Sequence, residues 1–209
     1  MTRTILLADD HVIIRRGLKT LLDTNFGRSN WMEVDRTSDV LEALKNSAIT
    51  HAVLDVQLLD ANILELIADI RKKYPQLPIM LYTMCSEDIY APRMYKLGIN
   101  AFLSKQCSEN QLIAAFNRFF QHKSYYSQEV LNAVAAEEKL PDNPLQQLSE
   151  REFMVLQYLV QGLTVKEICN QLDLKTTTVA TYKARIFEKT GAENVVDLVR
   201  LMDVYAHAK

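Results

Sequence analysis

The sequence predicts two domains, an α/β domain with a parallel sheet followed by an all-helical domain. In the first 121 residues, short apolar runs alternate with amphipathic stretches of helical periodicity, which is typical of a parallel sheet covered by helices. After residue 147 the apolar residues keep a helical spacing, and two helix-start signals occur. A chain of 209 residues with 48% hydrophobic residues is large enough for two modest cores.

The predicted elements of the first domain alternate along the chain. Strands are predicted near residues 4–8, 33–37, 51–55, 78–82 and 100–103. Helices are predicted near residues 12–23, 39–47, 62–73, 88–97 and 108–121. Ser108 is a candidate N-cap for the last of these helices. Pro92 suits only the first turn of a helix, so the fourth helix is expected to start later than residue 88.

Residues 122–146 are predicted to link a first domain at 1–121 to a second domain at 147–209. Residues 124–127 are expected to break the last helix of the first domain. Residues 128–138 could form a short helix, and Pro141 and Pro144 then favour a turn and a tether.

The second domain carries signals of a helix-turn-helix. Ser149 and Thr164, each followed three residues later by a glutamate, make two capping boxes, and Gly162 is expected to end the first helix. Residues 175–189 carry four basic residues against one acid, although the net charge of the chain is −2. A short helix followed by a basic helix is the arrangement that places the second helix in a DNA major groove. Periodicity alone leaves a generic helical bundle open.

Composition favours a cytoplasmic protein. No run of eighteen apolar residues occurs, so no segment is expected to span a membrane, and the first apolar run is too short for a signal peptide. Three widely spaced cysteines without a CxxC pair favour reduced thiols in a cytosol. A redox role for Cys85, near Thr83, is conceivable, but an idle buried thiol is the better interpretation.

Polar residues close the predicted strands of the first domain. The acidic pair Asp9 and Asp10, then Asp55, Thr83 and Lys105, each end or follow a short apolar run. Ligands of parallel sheets bind beyond the carboxyl ends of the strands, so these side chains are expected to meet at one edge. Each residue alone is more often a turn, cap or surface residue, but the ordered set favours a site.

The residue types suit phosphoryl transfer. Clustered carboxylates repel one another, so they favour binding of a hard cation, and oxygen ligands suit Mg²⁺. The carbonyl of Gln57 is a further candidate ligand. Asp55 could attack a phosphoryl donor in line. Lys105 and the metal would neutralise the transferred oxygens, and Thr83 could hydrogen-bond one of them.

Residues 8–22, the stretch around Asp55, the run LYTMCSE and the run GINAFLSK resemble the receiver domain of bacterial response regulators, most closely the NarL/FixJ subfamily. The resemblance covers about residues 1–121 and implies a flavodoxin-like fold with five parallel strands. It implies that Asp55 is the phosphoacceptor, that the acidic pair holds metal, and that Thr83 and Lys105 are switch residues. Phe102 takes the place of the family's switch aromatic; a plain core role is equally consistent.

The loop after Asp55 departs from this family. The family usually has proline and glycine where this chain has Leu59 and Ile63. Glycine permits positive φ, which isoleucine tolerates poorly, so the loop is expected to take a different path.

Residues 148–192 resemble the LuxR-type DNA-binding domain that follows NarL/FixJ receivers, over about residues 147–205. The third helix departs from the family at Ala180 and Tyr182, where lysine and histidine are common. The resemblance implies DNA contact by this helix, with Thr181 as the candidate for a base edge and the cations as candidates for phosphates. The candidate DNA-binding residues are Thr177, Thr181, Lys183, Arg185 and Lys189.

We therefore expect a two-component response regulator rather than an enzyme. A sensor histidine kinase or a small phosphodonor would phosphorylate it, double-stranded DNA would be its target, and the phosphorylated form would be a homodimer. One alternative is an orphan DNA-binding regulator that no longer uses phosphate, which Leu59 and Ile63 favour. Another is an aspartyl-nucleophile phosphohydrolase, but the residues after Asp55 lack the second acid of that class.

Overall fold

The computed structural model describes residues 3–46, 48–56, 58, 63–85, 87–136 and 144–206. The chain divides into two compact units, Met1–Leu131 and Asn132–Lys209. Each unit has its own buried core. None of the helices in the described part of the chain is long and apolar enough to cross a membrane.

The first unit contains a parallel sheet of the strands β1 (Thr4–Ala8), β2 (Asn30–Val34), β3 (His51–Leu54), β4 (Ile79–Thr83) and β5 (Ala101–Ser104). Their order across the sheet is β2-β1-β3-β4-β5. The prediction of β2 at 33–37 was wrong by three residues. Thr4 pairs with Asn30 and Ala8 pairs with Val34, and the next helix already begins at Thr37.

Helices cover the sheet. They are α1 (Val12–Phe26), α2 (Thr37–Asn46), α3 (Ile63–Lys73), α4 (Glu87–Lys96) and α5 (Glu109–Phe120). The prediction that Pro92 opens α4 was wrong, because the helix begins five residues earlier. A proline inside a helix removes one backbone hydrogen bond. Burial of Tyr90, Ala91 and Met94 accompanies this loss, and α4 packs against β5. Ser108 caps α5 as predicted.

The chain after α5 returns to the sheet. Tyr125 forms a parallel bridge with Ala101 of β5, and α6 (Gln128–Ala136) follows. Residues 122–131, which the sequence analysis assigned to the linker, therefore lie within the first compact unit. Residues 137–143, the rest of the predicted tether before Pro144, lie outside the described residues.

The second unit contains α7 (Glu150–Val160), α8 (Val165–Leu172), α9 (Thr176–Thr190) and α10 (Val195–Ala206). Both predicted capping boxes are present, at Ser149 and Thr164. Gly162, with φ of 87°, follows α7 as predicted. The turn between α8 and α9 uses Asp173 in the left-handed region. Buried side chains from all four helices form the core, among them Phe153, Leu156, Ile168, Val179, Ile186 and Leu198.

Candidate functional site

Parallel pairing brings four predicted site residues to one edge of the sheet. Asp9 follows β1 and Asp55 follows β3, and the Asp55 amide donates to the carbonyl of Ala8 at 2.8 Å. Thr83 ends β4, and its carbonyl accepts from the amide of Lys105 at 2.8 Å. Neighbouring strands in register therefore hold these side chains at their common carboxyl ends.

Lys105 joins the two buried carboxylates. Its Nζ lies 2.6 Å from Oδ2 of Asp55 and 2.7 Å from Oδ2 of Asp9. Asp9 and Asp55 are 1% and 2% exposed. Burial alone would lower the pKa of the Lys105 ammonium, but hydrogen bonds to Asp55 and Asp9 and their charges outweigh it and raise that pKa. The ammonium is therefore held charged between the acids.

The two buried carboxylates belong to a group of potential metal ligands. One ligand atom from each of Asp9, Asp10, His11 and Asp55 lies within 4.8 Å of the others. Opposite ligands of an octahedral Mg²⁺ stand about 4.2 Å apart, twice the usual Mg–O distance, so the three carboxylates fit such an ion after a small contraction. The family's acidic cluster is therefore present, as the sequence analysis expected.

His11 is a member of this cluster that sequence reasoning missed. Its Nδ1 lies 2.5 Å from Oδ1 of Asp10, and its amide donates to Oδ1 of Asp9 at 2.8 Å. The only available signal was its place directly after the acidic pair, which does not distinguish a helix-start residue from a site residue. Gln57, the further candidate ligand, lies outside the described residues.

Thr83 is fully buried beside the acids. Its Oγ1 accepts a hydrogen bond from the amide of Cys85 at 3.2 Å, so the hydroxyl proton is not used in that contact. Burial raises the pKa of the Cys85 thiol to about 11. Because the thiolate is the reactive form, this residue suits the idle buried thiol of the sequence analysis and not the redox role.

Phe102 lies in β5 and is 1% exposed, so it is part of the core. It also lines a cavity of about 370 Å³. Ile63 is the buried first residue of α3 and has helical backbone. Leu59 lies outside the described residues.

Helix α9 exposes one face of small and cationic residues. Thr177, Ala180, Thr181 and Arg185 are exposed along it, whereas Tyr182 is half-buried. The Thr181 hydroxyl donates to the carbonyl of Thr177 at 2.8 Å. Its oxygen therefore keeps lone pairs that can accept from an outside donor.

Two candidate phosphate contacts of α9 have partners inside the second unit. The Lys183 ammonium lies 5.8 Å from the ring centroid of Phe187. Lys189 Nζ lies 2.5 Å from Oε2 of Glu152, a residue of α7 that is 2% exposed. Arg185 is the exposed cation among the three candidates.

Comparison with known protein families assigns both units. Residues 5–117 match the response regulator receiver domain, and residues 146–202 match the bacterial regulatory proteins of the luxR family. The receiver match alone covers more than half of the chain, and the two matches follow the order expected from the sequence.

Relatives match over nearly the whole length. The transcriptional regulatory protein UhpA of Escherichia coli is 30% identical, over 95% of this chain and 97% of its own. The Fimbriae Z protein of Salmonella typhimurium is 29% identical, over 94% of both chains.

Among solved structures, RcsB from Salmonella enterica serovar Typhimurium, bound to promoter rprA in the presence of phosphomimetic BeF3⁻, is similar in fold. Its TM-score is 0.78 at 22% identity, over 97% of this chain and 99% of that chain. The chain belongs to the two-component response regulators, with a receiver domain followed by a LuxR-type DNA-binding domain.

Proposed function

We propose that Asp55 is the phosphoacceptor and that its phosphorylation controls DNA binding by the second unit. The observation that carries this proposal is the contact of Asp55 with the Lys105 ammonium inside an acidic cluster at the strand ends. A carboxylate in that setting has the charge partners that an incoming phosphoryl group needs.

The transfer needs no further nucleophile. An oxygen of Asp55 forms a bond to phosphorus while the bond from phosphorus to the donor breaks in line, and the leaving group keeps the electron pair. With a sensor histidine kinase as donor, the leaving group is an imidazole of that kinase. The Lys105 ammonium then neutralises a transferred oxygen, and the Thr83 hydroxyl donates a hydrogen bond to another.

Asp9, Asp10 and Asp55 would hold Mg²⁺, together with the carbonyl of Gln57. When bound, the ion supplies the positive charge that offsets these three carboxylates and the phosphoryl group. His11 would position Asp9 and Asp10 through the contacts of its amide and ring.

Helix α9 would enter the DNA major groove with its exposed face. Thr177, Thr181 and Arg185 lie on that face, where Arg185 can contact a phosphate and the Thr181 oxygen can accept from a base amino group. Lys183 and Lys189 would contribute at the sides of the helix. We place the protein in the cytoplasm, where its DNA and reduced thiols belong, and we infer a homodimer as its phosphorylated form.

Intact mass spectrometry tests the phosphoacceptor. With Mg²⁺ and acetyl phosphate the wild type should gain the mass of one phosphoryl group, and Asp55→Asn should gain none. Lys105→Arg keeps the positive charge and Asp55, so it is the control that separates a change in the shape of the site from the loss of the acceptor. A modified Asp55→Asn protein, or an inert wild type, would contradict the proposal and leave a regulator that binds DNA without phosphate control.

A further inference from the structure

A cavity of about 370 Å³ lies at the outer edge of β5, where the chain after α5 leaves the sheet. The amide of Tyr125 donates to the carbonyl of Asn100 at 3.0 Å, and the amide of Phe102 donates to the carbonyl of Tyr125 at 3.1 Å. In a continued parallel ladder the amide of Ser127 would donate next, to the Phe102 carbonyl. It donates instead to Oε1 of Glu87, the first residue of α4, at 3.1 Å. The chain therefore diverges from β5, and the cavity lies in the resulting gap.

Three aromatic residues line this cavity, namely Phe102 of β5 and the adjacent Tyr125 and Tyr126. The Tyr126 hydroxyl donates to the carbonyl of Ile99 at 2.7 Å, and its ring meets the ring of Tyr95 edge to face with centroids 5.3 Å apart. The backbones of Phe102 and Tyr125 are joined by the hydrogen bond between the two. The aromatic lining is therefore held in place by the fold, so a ligand would not have to order it.

Glu87 gives the cavity its charge. It is the acidic residue among the described lining residues, and none of those residues is a lysine, an arginine or a histidine. Burial raises the pKa of the Cys107 thiol, so this lining residue is uncharged at neutral pH. One oxygen of Glu87 accepts from the Ser127 amide, and a carboxylate has a second oxygen for a further donor. The described lining therefore carries a single negative charge.

Aromatic rings together with one carboxylate suit a small organic cation. The face of an aromatic ring attracts an ammonium group, most strongly when both are removed from water. The carboxylate of Glu87 adds a full opposite charge, whereas it would repel an anion. A volume of about 370 Å³ lies in the range of small-molecule sites, and the exposed residues Gln106 and Gln111 among its lining show that it opens to solvent.

We propose that this cavity binds a small alkylammonium ion, which packs against the three aromatic rings and pairs with the carboxylate of Glu87. The described lining shares no residue with the acidic cluster of potential metal ligands, so the two sites are separate. The proposal therefore does not depend on Asp55 being the phosphoacceptor. A bound cation would contact α4, β5 and the chain before α6 at once, which makes the first unit a receptor for a small molecule.

Amide NMR spectra of the full chain test the binding, with choline as the probe and dimethylbutanol, its uncharged carbon isostere, as the matched control. Mg²⁺ in excess keeps choline from the acidic cluster. Choline should shift the amides of Phe102, Tyr125 and Ser127 in a saturable manner. The alcohol should bind at least about tenfold more weakly, because it lacks the charge that the rings and Glu87 attract. No saturable shift with choline, or equal affinity for the alcohol, would overturn the proposal.

Substitutions supply a second test. Glu87→Gln keeps an oxygen for the Ser127 amide but removes the charge, so it should weaken choline binding about tenfold. Tyr125→Leu removes a ring and should weaken it about threefold, whereas Tyr125→Phe keeps the ring and should bind as the wild type does. Glu129→Gln removes an exposed acid from α6 and is the control for general charge, also expected to bind as the wild type does. Unchanged choline affinity in Glu87→Gln or in Tyr125→Leu would overturn the proposal.

Discussion

At the scale of single residues, the Lys105 ammonium sets the charge balance of the proposed phosphorylation site. It is the cation that contacts Asp9 and Asp55, and all three side chains are nearly excluded from solvent. A buried ion pair is costly to break because the remaining charge keeps its desolvation penalty. Lys105 and a bound divalent cation therefore serve partly interchangeable electrostatic roles.

Replacing Lys105 by methionine should reveal this exchange of roles. The Lys105→Met variant keeps the stem but takes the shared ammonium from two buried carboxylates, so the free energy of unfolding without metal should fall by about 3 kcal/mol. Mg²⁺ should stabilise the variant more than it stabilises the wild type. Urea unfolding with and without Mg²⁺ measures both effects, and an equal metal response in the two proteins would contradict the argument.

His51 makes the receiver domain sensitive to acid. The side chain is 4% exposed, and its ring meets those of Phe119 and Phe120 edge to face. Burial first, and the charges of His122 and Arg3 after it, lower the pKa of His51 from 6.5 to about 4. As pH falls, His51 is therefore protonated at a lower pH in the folded state than in the unfolded state.

The sign of the effect follows from this difference. The contribution of His51 to the free energy of unfolding is fully present above pH 6.5 and is lost as pH falls toward 4. The loss between pH 7 and pH 5 is about 2 kcal/mol. His51→Phe should lose less stability over that range, because phenylalanine does not titrate. Chemical unfolding of both proteins at the two pH values is the measurement, and identical pH profiles would contradict it.

At the scale of elements, α9 carries two kinds of cation. Arg185 is exposed on the face with Thr177 and Thr181, whereas Lys189 is tied to the buried carboxylate of Glu152 on α7. Glu152 also completes the capping box of α7 with Ser149. Lys189 therefore joins α9 to α7.

Alanine substitutions should separate these two roles. Arg185→Ala should lower the slope of log K against log salt by about 0.9, the value for one phosphate contact, without changing stability. Lys189→Ala should instead lower the free energy of unfolding, because it leaves the buried Glu152 carboxylate without its ammonium partner. Salt titrations on random duplexes and thermal unfolding give the two readings. A loss of stability only in Arg185→Ala would reverse the assignment.

At the scale of the whole molecule, sequence periodicity was sufficient for the order of elements and for most of the candidate site. Asp9, Asp55, Thr83 and Lys105 could be predicted together because strand ends of a parallel sheet meet at one edge. The edge strand β2 was misplaced because only two of its five residues are even half-buried, which leaves little pattern to read. Residues 124–127 were assigned to the linker although Tyr125 pairs with β5, because that pairing uses backbone hydrogen bonds, which leave no side-chain signature.

Association of the full chain is the remaining consequence of phosphorylation. Residues 88–103 run from α4 into β5, shortly after Thr83 in the sequence, so a rearrangement there on phosphorylation should change how two chains meet. Sedimentation with Mg²⁺ and BeF3⁻ should therefore shift the wild type from monomer to dimer and leave Asp55→Asn monomeric. A dimer places two copies of α9 on DNA, so footprinting should show half-sites centred about 10 base pairs apart or at a multiple of that spacing. Equal association with and without BeF3⁻ would contradict this prediction. Phosphorylation would then not control DNA binding by bringing two copies of the second unit together.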